Sequence, residues 1–211
     1  MLKIAVLVSG GGTNLQALID AQSSGKIKNG AISLVVSSSE KAYALERAAK
    51  AGIPSEVLRR KAFATQREYD GALLSLLERH HIELVVLAGF LTIISENVVS
   101  RFPNRIMNVH PSLIPSFCGE GYYGLRVHEE ALKRGVKVTG ATVHFVNEIC
   151  DGGPIILQKA VEVQPGDTPQ TLQRRVMERA EWELLPRAVS LFCENRLTVE
   201  NGRVTIREES F

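Results

Sequence analysis

Short apolar runs alternate with longer amphipathic stretches through the first half of the chain. Residues 3–8 form a near-continuous apolar run, as a strand buried on both faces would. Leu15, Leu18 and Ile19 recur at helical spacing and predict a helix over 14–24. A second strand is expected at 32–36. An alanine-rich helix at 41–51 should stop at Gly52, with Pro54 just beyond. A short strand at 56–58 precedes a helix at 66–81, whose apolar face is Tyr69, Leu73, Leu76 and Leu77. Strands at 84–88 and 106–109 continue the alternation. Strand–helix–strand order with apolar strands predicts a parallel sheet covered on both faces.

The pattern changes after residue 110. Two longer strands, 136–146 and 155–163, surround the loop 147–154. Thr168 and Pro169 offer a cap and a first position for one long helix, 168–193. Residues 197–206 read as a hairpin around Asn201-Gly202. No linker composition interrupts the chain. The expectation is one α/β domain over 1–211, a Rossmann-like, mostly parallel sheet flanked by helices, with an irregular C-terminal half. Ligands in such folds gather at the carboxyl ends of the strands. The places to look are just after Val8, Ala88 and Val109.

Composition narrows the class. The chain has 211 residues, 45% of them hydrophobic and 23% charged, which suits one globular domain rather than a disordered chain. A net charge of +2 is too balanced for binding nucleic acid or membrane by bulk electrostatics. No apolar run reaches membrane-spanning length. Cys118, Cys150 and Cys193 are odd in number and lack C-x-x-C spacing, which argues against a disulfide framework or a zinc site. A cytoplasmic protein without a metal is expected.

Ser9-Gly10-Gly11-Gly12-Thr13-Asn14 follows the first strand and opens the first helix. Glycines let the backbone approach a ligand, and a helix N-terminus offers free N–H groups, so the segment suits phosphate. A tight strand-to-helix turn would use the same residues. A Walker loop needs a lysine that is absent here. A dinucleotide fingerprint needs glycine where Leu15 stands and an acid where Ser37 to Ser39 follow the second strand. A phosphate monoester fits better than a nicotinamide cofactor.

At another strand end lie Asn108-Val109-His110-Pro111-Ser112. Asn108 and His110 share one side of an extended chain, and Pro111 turns the backbone away. Asn108 can hold an oxyanion and His110 can move a proton, as acyl-group chemistry requires. Of five histidines, His80 and His81 end a helix, His128 lies in the first turn of another, and His144 sits in an alternating strand as a core or supporting residue. Asp151, followed by Gly152 and Gly153, can bring a carboxylate close to another loop. Beside His110 it would raise the imidazole pKa. A β-turn aspartate would look the same. Nothing near Cys150 activates it, so a buried inert thiol is expected there.

Five segments together resemble the folate-dependent glycinamide ribonucleotide formyltransferases. They are Val8 to Gln16, Leu87 to Leu91, Asn108 to Pro115, Thr139 to Val146 and Asp151 to Gln158, in the family's order. The resemblance runs to about Arg196. It implies that Gly12, Thr13 and Asn14 hold the substrate phosphate, with Glu181 contacting the ribonucleotide. It implies that Leu91, Thr92, Ile93 and Ile94 form one wall of the 10-formyltetrahydrofolate pocket. Asn147, Glu148, Ile149, Cys150 and Asp151 would form the other, with Asn108 also lining it. Asn108, His110 and Asp151 would be catalytic: the amine attacks the formyl carbon directly, Asn108 and His110 stabilise the oxyanion, and His110 donates a proton.

On that resemblance, 1–110 is the phosphate-binding half, 111–196 the folate-binding half and 197–211 a hairpin and tail. The partners would be small molecules, with no nucleic acid or membrane, in a monomer or homodimer. This sequence departs from the family in four places. Thr92 and Gln66 stand where arginines often occur, and Arg67 is a candidate substitute. The stretch 116–124 is longer than in short members and suggests a mobile lid. The run Met177-Glu178-Arg179 carries an extra residue before Ala180.

Rival readings differ in domain content. Methionyl-tRNA formyltransferase carries a further C-terminal domain, for which this chain looks too short. Formyltetrahydrofolate hydrolase carries an N-terminal domain, whereas here the first strand follows Met1 at once. A phosphometabolite-binding module would explain the glycine loop but not His110 with Asp151.

Overall fold

The computed structural model describes residues 1–208; the end of the expected tail lies outside the described residues. The sheet has seven strands in the order β3-β2-β1-β4-β5-β6-β7, mostly parallel and flanked by helices. Residues group into two compact units, Met1–Met107 and Asn108 onward.

In the first unit the apolar runs are strands because both their faces are covered. β1 (Leu2–Val8), β2 (Gly30–Ser37), β3 (Ser55–Val57) and β4 (Leu84–Leu87) pair in parallel, and Ile4 to Val8 and all of β4 are buried. α1 (Thr13–Ser23) buries Leu15, Leu18 and Ile19, as the spacing predicts. α2 (Ala44–Lys50) begins later than expected. Ser37 Oγ and Ser39 Oγ instead accept from the backbone N–H groups of Ser39 and Lys41, holding a turn that delays the helix. α3 (Gln66–Arg79) starts on a capping box, in which Thr65 Oγ1 accepts from Glu68 N–H and Glu68 returns to the Thr65 backbone. A short helix, α4 (Glu96–Val99), follows β4.

β5 (Ile106–His110) ends on the histidine singled out above. In the second unit, α5 (Leu125–Arg134) leads to β6 (Val138–Phe145), which pairs antiparallel with β7 (Ile155–Glu162). The two strands lie close at Gly140, where an added Cβ would stand 2.1 Å from Lys159 O. β8 (Leu197–Glu200) and β9 (Arg203–Ile206) form the expected hairpin. Among the described residues no helix is long and apolar enough to cross a membrane.

The long C-terminal helix is not uniform. α6 (Pro169–Val176) and α7 (Trp182–Cys193) are joined by a π turn, Met177–Glu181, whose closing N–H groups return to the carbonyls of Met177 and Ala180. Thr168 caps α6 and Pro169 opens it, as expected. In a pure α-helix, residues five apart differ by about 140° in direction. A wider turn brings Glu181 back to the buried face that carries Leu172 and Val176.

Gly140→Ala should destabilise the protein by about 3 kcal/mol, because the new methyl must push β7 away. Chemical denaturation measures this. An unchanged midpoint would mean that the strands separate freely at this point.

Candidate active site

The glycine loop leaves β1 at Ser9 and enters α1 at Gly12, which is left-handed with φ +70°. A Cβ there would stand 2.7 Å from Ala44 Cβ, so only glycine fits. Gly10 and Gly11 differ: a Cβ on either meets nothing within 4 Å. Neither packing nor left-handed backbone calls for glycine at these two positions. Ser9 Oγ lies 2.7 Å from Ser38 Oγ and accepts from Leu91 N–H at 2.9 Å, tying the loop to the 91–94 segment. In that segment Leu91 is 63% and Ile93 82% exposed, so two apolar side chains face outward. Thr92 and Ile94 are half-buried.

Gln66 and Arg67 separate clearly. Gln66 Nε2 donates to Asp70 Oδ1 at 2.7 Å, and Gln66 Oε1 accepts from Arg60 Nε at 2.7 Å. Arg67 is exposed. The guanidinium beside Gln66 is therefore that of Arg60, which sequence spacing does not reveal. Asp70 in turn accepts from Ser95 Oγ at 2.6 Å, at the end of the apolar segment.

In the second unit the structure brings Asn108, His110 and Asp151 together. His110 Nδ1 lies 3.5 Å from Asp151 Oδ2, and Asn108 Nδ2 lies 3.4 Å from Asp151 Oδ1. His144 joins them: its Nε2 is 3.2 Å from Asn108 Nδ2 and 3.5 Å from Asp151 Oδ1. Its Nδ1 lies 2.8 Å from Phe145 O. A carbonyl only accepts, so Nδ1 donates to it, and Nε2 lies between the Asn108 amide and the Asp151 carboxylate. The alternation of β6 hinted at a supporting role for this histidine.

The stretch 116–124 touches the same residues. His110 Nε2 donates to Phe117 O at 2.9 Å, and Gly119 N–H donates to Asp151 Oδ2 at 2.9 Å. Ser112 Oγ donates to Ser116 O at 2.5 Å and holds the turn. Asp151 has φ +54°. Gly153 behind it lies so close to β6 that a Cβ would stand 1.8 Å from Phe145 O. The two glycines thus set Asp151 by close backbone packing.

The protonation states follow. Burial pushes His110 below its ordinary value; Asp151 and the Phe117 carbonyl act in the opposite sense but do not prevail. The expected upward push from Asp151 is present, yet the ring of the free protein is held toward its neutral form. Asp151 is itself held below the usual carboxylate range: burial opposes this, and His144, His110 and Gly119 N–H outweigh it. Cys150 is exposed rather than buried. Partial desolvation and the Asp151 charge push its thiol upward, so it is not activated. Asn147 Oδ1 accepts from Ile149 N–H at 3.1 Å, shaping the loop, while Glu148 and Ile149 are exposed. Glu181 is 6% exposed on the π turn.

The chain belongs to the formyl transferase family, whose model matches residues 2–189. It is 41% identical over 202 residues to the phosphoribosylglycinamide formyltransferase of Haemophilus influenzae, covering 96% of this chain and 92% of that protein. It is 42% identical over 209 residues to the human trifunctional purine biosynthetic protein adenosine-3, covering 98% of this chain but only 20% of that much longer protein. The solved structure of glycinamide ribonucleotide transformylase 1 from Symbiobacterium toebii superposes with a TM-score of 0.92 at 43% identity, over 99% of this chain and 95% of that one.

His128 yields a pH prediction. It is fully buried, neither ring nitrogen has a hydrogen-bond partner among the described residues, and burial, followed by the nearby His110, lowers its pKa to about 4. The unfolded chain takes up this proton near pH 6.5. Stability should therefore be complete above that pH and fall as pH drops toward 4. His128→Leu should flatten this part of the profile of melting temperature against pH. Equal losses in both proteins would contradict the assignment.

Proposed function

We propose that this chain transfers the formyl group of 10-formyltetrahydrofolate to the amine of glycinamide ribonucleotide. The products are formylglycinamide ribonucleotide and tetrahydrofolate, in de novo purine biosynthesis. The observation that carries this reading is the convergence of Asn108 and His110 on the buried Asp151 carboxylate, in a member of the formyl transferase family.

The steps follow from the chemistry of the side chains. The amine attacks the formyl carbon directly, and the carbonyl electrons move onto oxygen. The Asn108 N–H that meets Asp151 at 3.4 Å is the weaker of its two contacts and is the one to turn to this oxyanion. His110 Nε2–H, now donating to Phe117 O, is the second donor once that carbonyl gives way. The developing negative charge and Asp151 together favour the imidazolium, so His110 can donate its proton as the folate nitrogen departs. The proton that the attacking amine loses passes to His110, replacing the one that the ring gives to the folate nitrogen, so the imidazole ends as it began. No acyl-enzyme, metal or nicotinamide takes part.

Gly12, Thr13 and Asn14 hold the phosphate, and Glu181 contacts the ribonucleotide. Leu91, Thr92, Ile93 and Ile94 on one side, and Asn147, Glu148, Ile149, Cys150 and Asp151 on the other, receive the pterin. The 1–110 half serves the phosphate and the 111–196 half the folate. The protein works in the cytoplasm on small molecules, as a monomer or homodimer, without nucleic acid or membrane.

Incubation with 10-formyltetrahydrofolate, with and without glycinamide ribonucleotide, tests this directly. Deformylation should require the amine substrate and survive a chelator. Amine-independent deformylation would indicate a hydrolase instead. His110→Ala should abolish turnover, by about 10³-fold or more, while ribonucleotide binding persists. Turnover within a few-fold of the parent would remove His110 from its role. Asp151→Asn should lower the rate and move the limb of the pH–rate profile due to His110 toward lower pH, because the upward push is lost. An unmoved limb would separate Asp151 from that proton.

A further inference from the structure

The glycine loop is shaped from outside by α2. Ala44 N–H donates to Gly10 O at 3.1 Å, and Arg47 Nε donates to Gly11 O at 2.8 Å. Arg47 Nη1 donates to Gln16 Oε1 at 2.9 Å, in the first turn of α1. Ala44 also occupies the space that a Cβ on Gly12 would need. The Arg47 guanidinium rests 5.0 Å from the centroid of the Tyr43 ring, which limits its freedom.

These contacts have a directional result. In a trans peptide the C=O of one residue and the N–H of the next point in opposite directions. With the Gly10 and Gly11 carbonyls turned toward α2, the N–H groups of Gly11 and Gly12 point away from it. A Cβ on Gly10 or Gly11 would meet nothing within 4 Å, so the loop backbone is open to a ligand. Arg47 makes no contact with a carboxylate among the described residues; its bonds go to a carbonyl and an amide oxygen. Its positive charge is left uncompensated beside an array of N–H groups, as an anion would require.

We propose that Arg47 is a positioning residue for phosphate recognition: by holding the Gly11 carbonyl it aims the loop N–H groups at the phosphate monoester, and it adds charge behind them. This rests on the reading that the loop holds the ribonucleotide phosphate. The residue is specific to the phosphate end of the substrate and takes no part in formyl transfer.

The test compares Arg47→Met and Arg47→Lys with the parent in steady-state kinetics, after circular dichroism has shown that each is folded. Arg47→Met should raise KM for glycinamide ribonucleotide about tenfold or more, the loss expected for a charge-assisted bond. Its kcat should stay within about twofold and its KM for the folate should not move. Arg47→Lys retains the charge and should recover part of the affinity. With the dephosphorylated substrate, glycinamide riboside, parent and Arg47→Met should have equal kcat/KM. An equal loss with both substrates would make Arg47 a general structural residue and overturn the proposal, as would no loss with the phosphorylated one. If the parent transfers no formyl group at all, the functional reading fails separately. The clamp is then read from calorimetric binding of ribose 5-phosphate, which Arg47→Met should weaken and which, if unweakened, sinks the proposal. Should Arg47→Met not fold, Gln16→Ala, which removes one arm of the clamp, should raise the same KM by a smaller factor. An unchanged KM there would count against the clamp.

Discussion

The Asp151 carboxylate is the contact around which the polar cluster of the second unit is built. It receives Gly119 N–H on one oxygen and faces His110, Asn108 and His144 across its two oxygens. A carboxylate so enclosed is tolerable only because donors surround it. Its position is made by backbone packing: Gly153 lies against the end of β6, and Asp151 takes a left-handed conformation. The antiparallel pair β6–β7 therefore serves chiefly to deliver one loop to the end of β5.

Two histidines meet this carboxylate under different constraints. His144 is held at Nδ1 by the Phe145 carbonyl, and its Nε2 lies between the Asn108 amide and Asp151. His110 is bonded at Nε2 to the Phe117 carbonyl of the neighbouring loop. Burial holds the His110 ring toward its neutral form, whereas the nearby carboxylate favours charge.

Much of this was legible in the chain. The strand runs, the glycine loop and the trio follow from periodicity and from residue types at strand ends. What was not legible lies mainly in backbone groups and in long-range packing. The Phe117 carbonyl and the Gly119 N–H bind the trio, yet any residue carries such groups. Arg47 reaches the glycine loop from 36 positions away, and Arg60, not Arg67, meets Gln66. α2 starts late because serine hydroxyls compete for backbone N–H groups, an outcome that helical propensity does not contain. Cys150 is exposed on its loop beside Ile149, which is exposed too.

The π turn at Met177–Glu181 separates helix length from helix phase. A residue gained inside a straight helix would rotate everything after it and scramble the buried face. Accommodated as a wider turn, it would leave the phase of α7 intact, with Leu184, Leu185 and Ala188 inside as they are here. Helix length and helix phase can thus drift independently. For chains related to this one, equivalence along the last helix is better judged by which face a residue occupies than by counting from Pro169.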